Sequence, residues 1–384
     1  MHNLYTNKTP AMSFPERVLG FMLSTLIFVC CLTLSFSATS NDEMSALGKM
    51  VFFDPKLSTP VGQSCASCHK PDKGYADNQI VAAGANPILF GNRNVPSISY
   101  VSFTPKWHFN SEDGTWIGGF FWDGRSLTLH EQAAGPLLSP LEMGNQTKSD
   151  VVNKVKKAAY APHFTKLFGA DIWTDSNRAF EAILETLVKF QSSKAFAPRF
   201  SSKYDAYLRK KVELSSQEKR GLKIFEDEDK GNCAACHPSQ INEQGEWPLF
   251  TDFSYDNLGV PRLLSSPFLN MEERYNPAGK NYIDNGLADN PNIQTPTIQR
   301  GKFKVPTLRN IALTAPYMHN GVVTTLFEVL EYYNSRDVDS KWGSPEVAEN
   351  VNNEELGDLK LTTQDIEDLE AFLNTLTDDW QAAS

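Results

Sequence analysis

Basic charge is the minority in this 384-residue chain, where 36 lysines and arginines face 46 aspartates and glutamates for a formal net charge of −10. That balance disfavours a nucleic-acid partner, whose phosphates call for cations, and makes a basic docking partner the more natural one. Runs of alternating apolar and polar residues are also missing, so the expected class is mainly α. Cysteine is scarce: of six, Cys30 and Cys31 fall in an N-terminal apolar run, and the other four are all absorbed by one repeated motif. Hydrophobic residues at 41% and charged residues at 21% show none of the imbalance that marks extended disorder. The length suits two domains of ordinary size.

Lys8 and Arg17 precede an uncharged, largely apolar stretch from Val18 to Phe36 that breaks into Ser37-Ala38-Thr39-Ser40. This is the pattern of a secretion signal over residues 1–38, and it points to the periplasm or the cell-surface side. A retained membrane anchor is the alternative, because the stretch is nearly long enough to span a bilayer. Phe28 and Val29 are too bulky for a lipidation site at Cys30. Export removes Lys8, Arg17 and Glu16, leaving 34 basic against 45 acidic residues, or −11.

The other four cysteines form Cys65-Ala66-Ser67-Cys68-His69 and Cys233-Ala234-Ala235-Cys236-His237. C-x-x-C-H attaches a c-type haem: two thiols form thioethers and the adjacent histidine ligates the iron. Redox disulfides or a single four-cysteine zinc site fit less well. A disulfide catalyst has no need of a histidine after each second cysteine. A zinc ribbon brings its knuckles within about 20 residues, whereas Cys65 and Cys233 are 168 apart (233 minus 65).

Gly48-Lys49-Met50-Val51-Phe52 and Gly221-Leu222-Lys223-Ile224-Phe225 each end a helical stretch ahead of a haem motif, which suggests one unit used twice. Phe180, Ile183, Leu184, Leu187 and Val188 recur at helical spacing behind a cap at Asp175 or Ser176. Ser215-x-x-Glu218 is a capping box for the helix entering the second motif. These signals predict an N-terminal haem domain over 42–205 and a C-terminal one over 206–384. Pro238 to Gln299 reads as long loops around a cofactor. A helix resumes at Thr324, and a last one, led by Thr362 or Thr363, carries Ile366, Leu369, Phe372, Leu373 and Leu376 on one face.

Phe121-Trp122-Asp123-Gly124-Arg125, Glu131-Gln132-Ala133-Ala134-Gly135-Pro136 and Val305-Pro306-Thr307-Leu308-Arg309-Asn310 resemble the bacterial di-haem cytochrome c peroxidase family, which includes the MauG-like enzymes. The resemblance covers roughly residues 42 to 378 and implies two cytochrome c-like haem domains. It implies a peroxidatic haem held by His69 and an electron-transfer haem held by His237, with Trp122 relaying electrons between them. Gln132 and Glu142 match the residues on the peroxide side of the first haem. There a carboxylate can move the proton that O–O heterolysis requires, and an amide can orient peroxide. Asn94, Thr314 and Pro316 match the oxygen donors of an interdomain calcium site, a type of site that accepts amide and carbonyl oxygens. Expected partners are hydrogen peroxide and either a small electron-donor protein or an oxidisable protein substrate.

Two features depart from the usual peroxidases. Tyr75 to Arg93 holds no histidine, where the family places one that caps the first haem, so the first iron is expected to be open without prior reduction. His108, in an apparent insertion beside Trp107 and Phe109, is the candidate substitute. On the far side of the second haem, the Thr325-Leu326 helix start brings Tyr333 to the ligand position. Leu326, Val329, Leu330 and Tyr333 share one helical face, and Tyr332 points about 100° away. A phenolate favours oxidised iron, as in MauG-like proteins, whereas a methionine raises the potential; Met318 and His319 are the alternative ligands. A non-catalytic di-haem electron carrier is the competing reading and would need both irons capped.

Overall fold

The computed structural model describes residues 40–382; residues 1–39, with the expected secretion signal, and 383–384 lie outside the described part. The chain divides into Met1–Met44, whose described residues 40–44 are helical, and a compact unit, Ser45–Ser384. All further elements belong to the second.

That unit is mostly helical. In order it holds α1 (residues 45–52), α2 (Cys65–Cys68), α3 (Leu129–Leu138), α4 (Lys148–Lys156), α5 (Ala161–Phe168) and α6 (Ser176–Ser192). There follow α7 (Lys203–Leu208), α8 (Ser216–Glu226), α9 (Leu326–Ser335) and α10 (Thr363–Asn374). The helix starts lie where local chemistry places them. Asp175 caps α6 by accepting from the Asn177 and Arg178 N–H groups. Ser215 with Glu218, Thr325 with Glu328 and Thr362 with Asp365 form reciprocal capping boxes. No described helix is long and apolar enough to cross a membrane.

Apolar residues gather into two cores. One joins Leu47, Val51 and Phe52 of α1 to Val151 and Val155 of α4 and to Phe180, Ile183, Leu187 and Phe190 of α6. The other joins Leu222 and Phe225 of α8 to Leu326 and Leu330 of α9 and to Ile366, Leu369 and Phe372 of α10. Each fully buried side chain of this size contributes roughly 1.5–3 kcal/mol of transfer free energy.

One packing arrangement occurs in both cores. A Cβ on Gly48 would lie 1.9 Å from the Thr186 carbonyl oxygen and 2.9 Å from Phe190 Cβ; one on Gly221 would lie 1.9 Å from the Asp368 carbonyl oxygen and 2.8 Å from Phe372 Cβ. In each case a glycine lets the helix leading to a haem motif rest on the backbone of a second helix, against residues four apart.

The first core ends at Ala197 and the second begins at Tyr204. The expected boundary at 205 therefore falls inside α7, slightly beyond the change of core. Asp205 is anchored there by Arg309 at 2.7 Å, both side chains being fully buried, and Arg309 Nε donates to the Pro248 carbonyl at 3.0 Å.

Two short strand pairs accompany the helices of this mainly α fold. β1 (His108–Asn110) pairs antiparallel with β2 (Thr115–Ile117), and β3 (Tyr255–Asp256) with β4 (Phe303–Lys304). Elements of two or three residues are too short for alternation to be visible in sequence. Pro238 to Gln299 is otherwise loop with short 3-10 turns.

Candidate active site

Both C-x-x-C-H motifs open onto one cavity of about 500 Å³, lined by Cys68, His69, Cys233, Cys236 and His237 among others. Cys65 packs against the first core instead. In each motif the histidine N–H donates to the carbonyl of the first cysteine at 2.9 Å, so a single helical turn sets the ligand beside both thiols. His69 Nδ1 donates to the Tyr75 carbonyl at 3.0 Å and His237 Nδ1 to that of Phe250 at 2.7 Å. Each bond holds the proton on Nδ1 and leaves the Nε2 lone pair available to a metal. Burial lowers both histidines, His237 to about 4, which favours the neutral imidazole that a metal ligand must be.

None of the four described cysteines is in a disulfide, and burial pushes each thiol up to about 12. Among the described residues, no cluster of three or more histidine, cysteine or acidic side chains could hold a metal ion.

Gln132 and Glu142 line the same cavity. Thr128 caps α3 by accepting from the Glu131 N–H, which sets the phase of Gln132. Glu142 follows the α3 C-cap, with its N–H on the Ser139 carbonyl at 3.2 Å and its own carbonyl accepting from Ala85 N–H at 2.6 Å. Burial raises its carboxyl above the ordinary range, against a Ser139 hydrogen bond and the nearby Arg125. Trp122 lines the cavity too, and its indole N–H donates to the Asn94 carbonyl at 2.9 Å.

Asn94, Thr314 and Pro316 all line the cavity. The Asn94 amide nitrogen donates to the carbonyls of Gln79 and Ile80, at 3.1 and 3.2 Å. On α9, Leu326, Val329, Leu330 and Tyr333 line the cavity, while Tyr332 is fully buried and donates to the Leu258 carbonyl at 3.0 Å. Burial and the nearby Cys236 and Cys233 sulfurs push the Tyr333 phenol up. Met318 and His319 line the cavity as well. His108 does not: it is exposed on β1, with Nδ1 on the Lys106 carbonyl at 2.8 Å. The histidines that do line it are His69, His237 and His319.

A model of the di-haem cytochrome c peroxidases matches residues 42–213. The chain is 37% identical to the methylamine utilization protein MauG of Paracoccus denitrificans, over 88% of this chain and 89% of that protein. It is 30% identical to the cytochrome c551 peroxidase of Nitrosomonas europaea, over 88% and 81%. The chain belongs to the di-haem cytochrome c peroxidase and MauG family. The crystal structure of the diheme peroxidase BthA from Burkholderia thailandensis superimposes with a TM-score of 0.76 at 36% identity, covering 88% of this chain and 86% of that one.

The protein is thus a di-haem, peroxide-dependent oxidoreductase of MauG-like type. Two c-type haems are the family's cofactors, and the paired motifs, neutral histidines and shared cavity fit them. Not all lining groups are legible in sequence. Arg93 bridges Asp123 at 2.6 Å and Asp284 at 2.7 Å, a partner 191 residues away. Lys304 falls to about 8 and Glu346 rises to about 7, both through burial. His319 stacks on Phe303 at 3.6 Å, with a buried Nε2 that has no partner. His319 carries a sequence signal as an alternative ligand and Arg93 one beside Asn94 in Arg93-Asn94-Val95-Pro96, whereas Lys304 and Glu346 carry none.

Proposed function

We propose that this chain is an exported enzyme with its peroxide site on the His69 side of the cavity, needing no prior reduction to react. Cys65, Cys68 and His69 would hold one haem and Cys233, Cys236 and His237 the other, in domains that meet where the core changes near residue 200. A bound haem iron supplies the oxidation chemistry; the chain supplies proton handling, orientation and tuning. Glu142, whose basicity burial raises, takes the proton from one peroxide oxygen and returns it to the other. Gln132 orients the peroxide by hydrogen bonding. Trp122 stands between the two halves as the electron relay. Tyr333 rather than Met318 or His319 faces the second haem, because it shares the cavity face of α9 with Leu326, Val329 and Leu330, while the His319 ring is stacked on Phe303. Asn94, with the Thr314 and Pro316 carbonyls, would hold calcium and so fix the relay to which Asn94 is bonded.

The observation that carries this reading is the set of histidines on the cavity: with His108 exposed and Tyr75 to Arg93 free of histidine, the described chain presents no cap of the usual kind opposite His69. A non-catalytic electron carrier needs such a cap. The oxidising equivalents go to a partner protein or are quenched by a small redox protein. One equivalent of hydrogen peroxide added to the fully oxidised holo-protein tests it, with absorbance followed from the Soret band to the near infrared. A rapid change without reductant is expected, and no change until an electron is supplied would overturn it.

A further inference from the structure

We propose that the stacked indoles of Trp107 and Trp116 are the port through which this enzyme draws electrons from a basic one-electron donor protein. The inference rests on the peroxide-dependent reading and adds where, and from what kind of partner, electrons enter. The two rings lie 4.6 Å apart and 10° from parallel on the β1–β2 hairpin. Phe109, 48% exposed, meets Trp116 edge-on at 5.4 Å, and Trp107 meets the buried Tyr255 at 5.6 Å.

The hairpin is clasped to the cavity wall. Tyr255 donates its hydroxyl to the Gly118 carbonyl at 2.6 Å, and the Gly118 N–H donates to that of Phe253 at 3.0 Å. Tyr255 pairs with Lys304, whose N–H donates to the Trp122 carbonyl at 2.9 Å. Phe120, Trp122, Phe253 and Lys304 all line the cavity. The backbone makes room for the stack: Gly119 and Gly124 have positive φ, and a Cβ on either would come within 2.9 or 2.6 Å of the Trp107 ring. Tunnelling falls steeply with distance, so a run of touching rings from surface to wall is favoured over one long step.

Reducing peroxide to two waters takes two electrons and two protons. For each, one electron leaves the indole pair for the cavity, the pair is left as a radical cation shared by two rings, and one electron from the donor restores it. Indole keeps its N–H throughout. Tyr255 would have to release its phenolic proton to a neutral carbonyl, so it bridges the step without being oxidised. Exposed Glu112 and Asp113 at the hairpin turn, on a chain of net charge −10, select a basic partner.

Stopped-flow measurements on the holoenzyme test the port, with a ferrocytochrome c of basic pI as the probe. In Trp107→Phe/Trp116→Phe, peroxide consumption without donor is expected to stay at the wild-type rate and ferrocytochrome c oxidation to fall at least about tenfold. Glu112→Gln/Asp113→Asn, which leaves the rings in place, is expected to slow the same step at low ionic strength and flatten its salt dependence. A wild type that leaves peroxide untouched fails the underlying reading. A double variant that consumes peroxide and oxidises the probe at wild-type rates overturns the port alone, as does a wild type that consumes peroxide but never oxidises the probe.

Discussion

The indole N–H of Trp122 donates to the backbone carbonyl of Asn94 at 2.9 Å, so the proposed electron relay hangs on a residue of the proposed calcium site. Trp122→Phe removes that donor and leaves a carbonyl unpaired, a loss of about 1 kcal/mol in stability. Turnover with donor is expected to fall by roughly tenfold or more, or about 1.4 kcal/mol in barrier. Dialysis against a calcium chelator should lower turnover in the wild type, with recovery on adding calcium but not magnesium. An unchanged rate after chelation would remove calcium from the account.

Glu142 gives a pH dependence with a defined sign. Its carboxyl titrates above the ordinary 4.5 because burial disfavours the charge. The proton-accepting form therefore grows as pH rises through the raised value, giving an acid limb in the peroxide reaction. Glu142→Gln should abolish that limb and slow the reaction by roughly 10²–10⁴-fold. Stability moves the other way. Both states are protonated below the unfolded value, and the fold loses stability as pH rises through the folded one. Melting curves should show the glutamine variant gaining stability at neutral pH and nothing at pH below the unfolded value.

On the proposed reading, Tyr333 is the group that tunes the second haem. Replacing it by methionine exchanges a hard oxygen donor for a soft sulfur and is expected to raise the reduction potential of that haem in a potentiometric titration. Tyr333→Phe should alter its absorption spectrum. An unchanged spectrum would make Tyr333 a packing residue and turn attention to Met318 and His319.

Gly48→Ala and Gly221→Ala are expected to behave alike, since each added Cβ would sit 1.9 Å from a helix carbonyl oxygen. Overpacking of this kind costs about 1–3 kcal/mol, readable as a lowered melting temperature and reduced haem incorporation. One variant tolerated and the other not would break the equivalence of the two units.

What the sequence by itself determined is what depends on neighbours along the chain. The haem motifs, the caps at Asp175, Ser215, Thr325 and Thr362, and the α9 phase that separates Tyr333 from Tyr332 all follow from contacts within one or two turns. Only the tertiary structure decided what depends on desolvation and distant partners. His108 looked available because of its place beside the cap region, yet a hairpin too short to betray itself turns it to solvent. Lys304 and Glu346 owe their altered protonation to burial, and Arg93 owes its place to Asp284, 191 residues on. The Trp107 stack joins residues from either side of the hairpin to Tyr255, about 150 positions later (255 minus 107 is 148). Burial and long-range pairing are properties of the closed fold, and no local pattern of residues encodes them.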